Sequence, residues 1–164
     1  PNVVGSTTWG NTNRRMVTWV RFKDRRSGQE FYFINTHLDH QIQPAREKSA
    51  TLIRERVEAL KTELPIILLG DFNAAAGANR AYDLLVGDGF FSDGWHTAKQ
   101  RLGPVVKTFN GFRPAVAGDE RIDWILSRGP VVFDSIEIVT FDKDGHYPSD
   151  HFPVVAAIRF AKSN

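Results

Sequence analysis

Four short segments carry residues able to do acid–base or metal chemistry, and each sits where an apolar run begins or ends. Phe31-Tyr32-Phe33-Ile34 runs into Asn35-Thr36-His37, and Ile66 to Leu69 runs into Gly70-Asp71-Phe72-Asn73. Asp123 interrupts Ile122-Asp123-Trp124-Ile125, and Ser149-Asp150-His151 opens the last apolar stretch. In open sheets, ligands collect at strand ends, where backbone groups are freed. Burying the Asp123 carboxylate among Ile and Trp costs roughly several kcal/mol unless a cation, a donor or a metal satisfies it. The partners expected for these acids are the histidines of the same set and a metal. Singly, each segment has a plainer reading. Asp71 and Asn73 suit the turn after a strand, Ser149-Asp150 after Pro148 suits a loop, and His37 could be a core histidine. All four together, in this order and each beside a strand, argue for one shared site.

The elements that must position them follow from periodicity. Residues 15–23 and 30–36 are β-branched and aromatic, read as strands, and are separated by a polar turn from Asp24 to Gly28, so a hairpin is expected. Pro44 suits the first turn of a helix. Ile42, Ala45, Ser49, Ile53, Val57, Leu60 and Leu64 then form one apolar stripe, with Glu47, Arg54, Glu58 and Lys61 placed to face water and Pro65 expected to end the helix. Residues 66–69 read as a strand buried on both faces. A second helix is expected from about Asn79 to Val86. Residues 92–120 read as a long irregular excursion of the kind that is often functional. Strands are expected over Arg121–Ser127, Val132–Phe141 and Pro153–Phe160. The pattern is α+β: a mixed, mostly antiparallel sheet with helices on one face.

Composition narrows the classes. The 164 residues fit one domain, and the apolar and charged fractions of 41% and 24% are ordinary for a globular protein. There are no cysteines, so thiolate zinc sites, disulfides and cysteine nucleophiles are excluded. No apolar run is long enough to cross a bilayer, and Pro1 onward does not read as a signal peptide. A soluble setting is expected, in the bacterial cytoplasm, the periplasm or outside the cell. A net charge of +2 mildly favours an anionic partner without identifying one.

The order N-T-H, G-D-F-N, I-D-W-I, S-D-H resembles the C-terminal half of the endonuclease/exonuclease/phosphatase, or DNase I-like, superfamily. The resemblance runs from about Met16 to Ile158, and Asn13 to Trp19 is similar to a bacterial branch. It implies an αββα four-layer sandwich of which residues 1–164 are about the C-terminal half. It implies divalent-metal-dependent hydrolysis of a phosphodiester or phosphomonoester by in-line attack of water, with Mg²⁺ or Mn²⁺. His37 would contact the scissile phosphate, Asp71 bind or activate the water, Asn73 orient it, Asp150 ligate the metal, and His151 act near water and phosphate, oriented by Asp123. The substrate would be a nucleic acid, a nucleotide, or a sugar, inositol or lipid phosphate. The chain departs from the pattern in one respect. The first half of such a domain supplies an Asn and a metal-binding Glu, and neither has a matching position here. Gln29-Glu30 lies at the start of the strand leading to His37, within the second half. The missing N-terminal half is therefore an expected partner.

Two other readings compete. Asn35-Thr36-His37-Leu38-Asp39-His40 is one residue away from the H-x-H-x-D-H zinc motif of the metallo-β-lactamase fold, but Asn replaces the first imidazole. That reading leaves G-D-F-N and S-D-H unexplained. The other is a non-catalytic or degenerate half-domain that only binds. Retention of His37, Asp71, Asn73, Asp123, Asp150 and His151 opposes it. Within 92–120, Trp95, His96, Thr108, Phe109, Asn110 and Phe112 are expected to border the site. Their aromatics could stack bases or pack on the sheet.

Overall fold

The structure, a computed structural model, describes Val3 and residues 5–161. The hairpin forms from β1, Val17–Lys23, and β2, Glu30–His37, paired antiparallel. The long helix α1 covers Gln43–Ala59 and leads to β3, Ile66–Asp71. Then come α2 (Arg80–Val86), a two-residue β4 (Ser92–Asp93), a single-turn α3 (Gly94–Thr97) and β5 (Gln100–Leu102). The chain closes with β6 (Asp123–Arg128), β7 (Val131–Ile138) and β8 (Val154–Phe160).

The strands divide between two sheets rather than forming one. The larger has the order β1-β2-β3-β6-β4, and the smaller β5-β7-β8. The α+β reading and the sandwich plan hold, but the one-sheet picture is corrected. The 92–120 region is also more ordered than expected, because it contains β4, α3 and β5. These pieces are two to four residues long and take their shape from non-local partners, which periodicity does not register.

One side of the larger sheet carries the main core. Ile34, Ile66, Leu68, Trp124 and Leu126 pack there with Ala50, Ile53 and Val57 of α1 and with Ala81, Tyr82 and Leu85 of α2. Phe72 stacks on Trp124 at 4.1 Å. Of the stripe on α1, Ala45, Ile53 and Val57 are buried and Ser49 is half-buried, with two corrections. The helix stops at Ala59, well short of Pro65, and Lys61 has a positive φ of 46°. Arg54 does not simply face water, because its guanidinium lies 4.4 Å over the Phe90 ring. No side chain of Ile42 caps α1. Instead the buried Asp39 carboxylate accepts from the backbone N–H of Gln41 at 2.9 Å and Ile42 at 2.8 Å. No helix among the described residues is long and apolar enough to cross a membrane.

Candidate active site

The strand register builds the site. In the parallel pair β2–β3, His37 lies opposite Asp71, and in the antiparallel pair β3–β6, Asp71 lies opposite Asp123. The three stand in a row across adjacent strands, at the end where β2 and β3 finish. Parallel alignment at that end depends on Gly70. A Cβ there would sit 1.9 Å from the Thr36 carbonyl oxygen, and φ is +142°, a conformation that L side chains rarely adopt.

Side chains converge on Asp71. His37 Nε2 is 3.2 Å from Asp71 Oδ2 and His151 Nε2 is 3.9 Å from the same oxygen. Asn73, in the left-handed region at φ 48°, donates its backbone N–H to Asp71 Oδ1 at 2.8 Å and its side-chain amide to Leu38 O at 3.1 Å. Asn tolerates that backbone better than most residues. Asp123 Oδ2 is 2.9 Å from His151 Nδ1, which fixes the imidazole and leaves Nε2 turned toward Asp71. Asp71, Asp123 and His151 each offer a ligand atom within 4.8 Å of the others, a grouping that could hold a metal ion.

The charges respond to this crowding. Burial, with the Asp123 charge in support, holds the Asp71 carboxyl above the ordinary carboxylate range against the Asn73 hydrogen bond and both histidines. For His151, burial pushes the other way, but the Asp123 hydrogen bond and the charges of Asp123, Asp71 and Asp150 outweigh it. The imidazole stays protonated to higher pH than an ordinary histidine.

Asp150 stands apart from the three-residue group. Its carboxylate contacts Ser149 Oγ at 3.5 Å, and its backbone carbonyl accepts from Asn110 and Gly111. The Asn35–His40 stretch does not converge as a zinc site would. His37 faces Asp71, Asp39 caps the loop before α1, and His40 Nδ1 lies 3.3 Å from Arg15. Glu30 sits at the opposite end of β2 from His37 and pairs with Arg21 at 2.6 Å. Of the residues expected to border the site, Trp95 is buried in a second core with Ile136, Ile138 and Phe152. Phe109 lies beside it, 53% exposed, with its ring 5.2 Å from the His151 imidazole, and Thr108 and Asn110 hydrogen-bond the segments that carry Asp123 and His151.

Sequence reasoning missed the supports of this site. Arg121, buried, pairs with the buried Asp93 at 3.3 Å and with Asp119 at 2.8 Å, and Tyr82 donates to Asp93 at 2.9 Å. The network clamps the chain two residues before Asp123. Nothing local in the sequence marks Asp93 or Tyr82. A charged residue just before an apolar strand, as Arg121 is, was the only signal.

Comparison with known proteins places this geometry in context. A family model described as Endonuclease/Exonuclease/phosphatase family matches residues 2–151. A Bacteroides vulgatus endonuclease/exonuclease/phosphatase structure is 33% identical with a TM-score of 0.87, over 98% of this chain and 61% of that one. A Bacteroides thetaiotaomicron mannosyl-6-phosphatase is 32% identical with a TM-score of 0.84, over 93% of this chain and 60% of that one. The human Nocturnin catalytic domain shares the fold at 17% identity, with a TM-score of 0.71 over 91% of this chain and 54% of that one. The chain thus spans about three-fifths of the two bacterial structures. Comparison with curated proteins finds no match.

Proposed function

Because the chain belongs to the Endonuclease/Exonuclease/phosphatase family, we propose that it supplies the catalytic C-terminal half of a divalent-metal-dependent phosphoesterase. The observation that carries the reading is the row His37–Asp71–Asp123 with His151 held against Asp123 at 2.9 Å.

The donor set fits a hard cation. Asp71 is half-buried beside a second carboxylate, a repulsion that a divalent ion relieves, and Mg²⁺ or Mn²⁺ takes oxygen ligands while keeping waters. Asp150 is the carboxylate that would hold it, since Asp123 is engaged with His151 and Asp71 faces the attacking water. When bound, the ion supplies Lewis-acid stabilisation of charge building on the phosphoryl oxygens.

The remaining work falls to the chain's own groups. Asp71, whose basicity is raised by burial, takes the proton of the attacking water, and Asn73 holds that carboxylate in place. His151, biased toward its protonated form, donates from Nε2 to the phosphoryl group, and Asp123 fixes its orientation and offsets its charge. His37, on the other side of Asp71, is a second donor to the phosphate. A small phosphorylated metabolite is the substrate class favoured, given the mannosyl-6-phosphatase among the similar structures. Phe109 offers its ring to the organic part of the ester.

The test is a panel of phosphomonoesters and phosphodiesters on the full-length protein, with Mg²⁺, with Mn²⁺ and with EDTA. Turnover that disappears with EDTA and returns with metal is expected. Binding of phosphoesters with no turnover under any condition would replace this reading with the non-catalytic one.

A further inference from the structure

The Asp123–His151 contact joins two residues on separate parts of the chain. Asp123 opens β6, and His151 lies in the segment before β8. No direct pairing of β6 with β8 holds them together. The connection runs through residues 108–111, of which Phe109 alone has been given a part in the site chemistry.

Thr108 is fully buried. Its hydroxyl oxygen accepts from the backbone N–H of Ile122 at 3.0 Å and of Asp123 at 3.3 Å. Its carbonyl accepts from the N–H of Phe152 at 2.8 Å, one residue past His151. The next residue, Phe109, bridges His151 directly across the backbone. Asn110 and Gly111 then donate their backbone N–H groups to Asp150 O at 2.8 and 3.0 Å, and the Asn110 side chain donates to Ser149 O at 3.2 Å. The strap therefore grips the whole Ser149–His151 segment through its backbone. It reaches the strand bearing Asp123 through one side-chain atom.

We propose that Thr108 is a positioning residue for the reaction: its buried hydroxyl ties the 108–111 strap to β6 and so sets the separation of Asp123 and His151. Among the described residues, the hydroxyl is the only group of the strap that hydrogen-bonds both Ile122 and Asp123. A methyl in its place leaves β6 and the strap in van der Waals contact but without the directional link. A buried N–H that loses its acceptor pulls away toward another. Misplacement of catalytic groups by about 1 Å lowers turnover by on the order of a hundredfold. Thr108 touches no reacting atom, so the effect falls on kcat and leaves KM near its original value.

The kinetic arm rests on the phosphoesterase reading, and a spectroscopic arm does not. A hydrogen bond from His Nδ1 to a carboxylate gives a far-downfield imidazole proton in NMR spectra, visible without turnover. In the full-length protein, Thr108→Val should lower kcat by about ten- to a hundredfold and weaken or remove that resonance. Thr108→Ser should restore both. If Thr108→Val does not fold, Thr108→Ala is compared with Thr108→Ser, which differs only by the hydroxyl, and the serine variant should be at least about tenfold faster. A valine variant that keeps both its kcat and the downfield proton overturns the proposal. So does an alanine variant equal to the serine one, or a wild-type protein with no such resonance. If the wild type turns over no phosphoester, the phosphoesterase reading fails, and the resonance in the Val and Ser variants decides the role of Thr108.

Discussion

His151 is half-buried and makes its one strong side-chain contact with Asp123, so removing its imidazole costs chemistry far more than packing. In the full-length protein, His151→Ala is expected to lower kcat by about two or more orders of magnitude, the usual contribution of a positioned acid or base. Its melting temperature should move by only a few degrees. Steady-state kinetics with thermal unfolding on the same sample checks both, and near-full activity in the variant sinks the assignment. Asp39, two residues beyond His37, is expected to behave in the opposite way. Burial disfavours its charge, but the backbone N–H groups of Ile42 and Gln41 outweigh burial and hold its carboxyl below the ordinary value. A depressed carboxylate stabilises the fold above its unfolded-state pKa of about 4, and that stability drains away as pH falls through the lower folded value. Asp39→Ala should cost about 1–2 kcal/mol near neutral pH. The gap from wild type should shrink below about pH 4. Urea unfolding from pH 7 to pH 3 reads it, and a gap that widens toward low pH contradicts the sign.

Among the elements, β2 and β3 carry the heaviest constraint. They run parallel in a mostly antiparallel fold, and their pairing sets His37 against Asp71. Gly70 makes the approach possible. A methyl at that position meets the Thr36 carbonyl oxygen at 1.9 Å, and backbone cannot step aside as a flexible side chain can. Gly70→Ala is expected to destabilise by roughly 3 kcal/mol or more, in the range of strained backbone positions and overpacking. It should also separate His37 from Asp71, so activity falls even at temperatures where the variant stays folded. Thermal unfolding and kinetics at low temperature test the two effects separately. This level also shows what was legible beforehand. Strands with a simple alternating or continuous apolar pattern, and α1 with its stripe, were readable because their signal is local. That Asp123 needs a partner was readable, because a carboxylate within Ile122-Asp123-Trp124-Ile125 demands one; that the partner is His151 was implied by the family resemblance. The two-sheet division, β4, α3 and β5 were not, since each depends on pairing with distant strands. Thr108 was expected to border the site, but its link to β6 was not, and the Arg121–Asp93–Tyr82 network was hidden for the same reason. Their residue types are common, and only tertiary contact gives them a role.

At the scale of the molecule, the larger sheet is covered on one side by α1 and α2, and the other side is unevenly covered. The side chains of Val20 and Phe22 point with those of Phe33 and Phe31, across from which they pair. Phe22 lies 5.7 Å from Phe31, and Phe31 lies 4.9 Å from Phe160 of the second sheet, so the two sheets meet at this corner. Even so, Val20 and Phe22 remain 50% and 46% exposed. Ile66, Ile67 and Leu68 of β3, by contrast, are buried within the chain as it stands. On this sheet the uncovered patch is thus concentrated on β1. In the second sheet, β8 is an edge strand, with Val155 exposed along it. Open edges and exposed apolar strands promote association. The half-domain reading therefore predicts that the 164-residue chain, made alone, self-associates or binds an added N-terminal half, and that it binds Mg²⁺ weakly through few carboxylates. Light scattering across a concentration series tests association. A Val20→Thr, Phe22→Ser double variant should shift the distribution toward monomer with only a modest fall in melting temperature, because neither side chain lies in the main core although Phe22 packs on Phe31. Titration with Mg²⁺ tests affinity. A monomeric 18.5 kDa species with full metal-dependent hydrolysis would show that these residues need no other half to make a complete site.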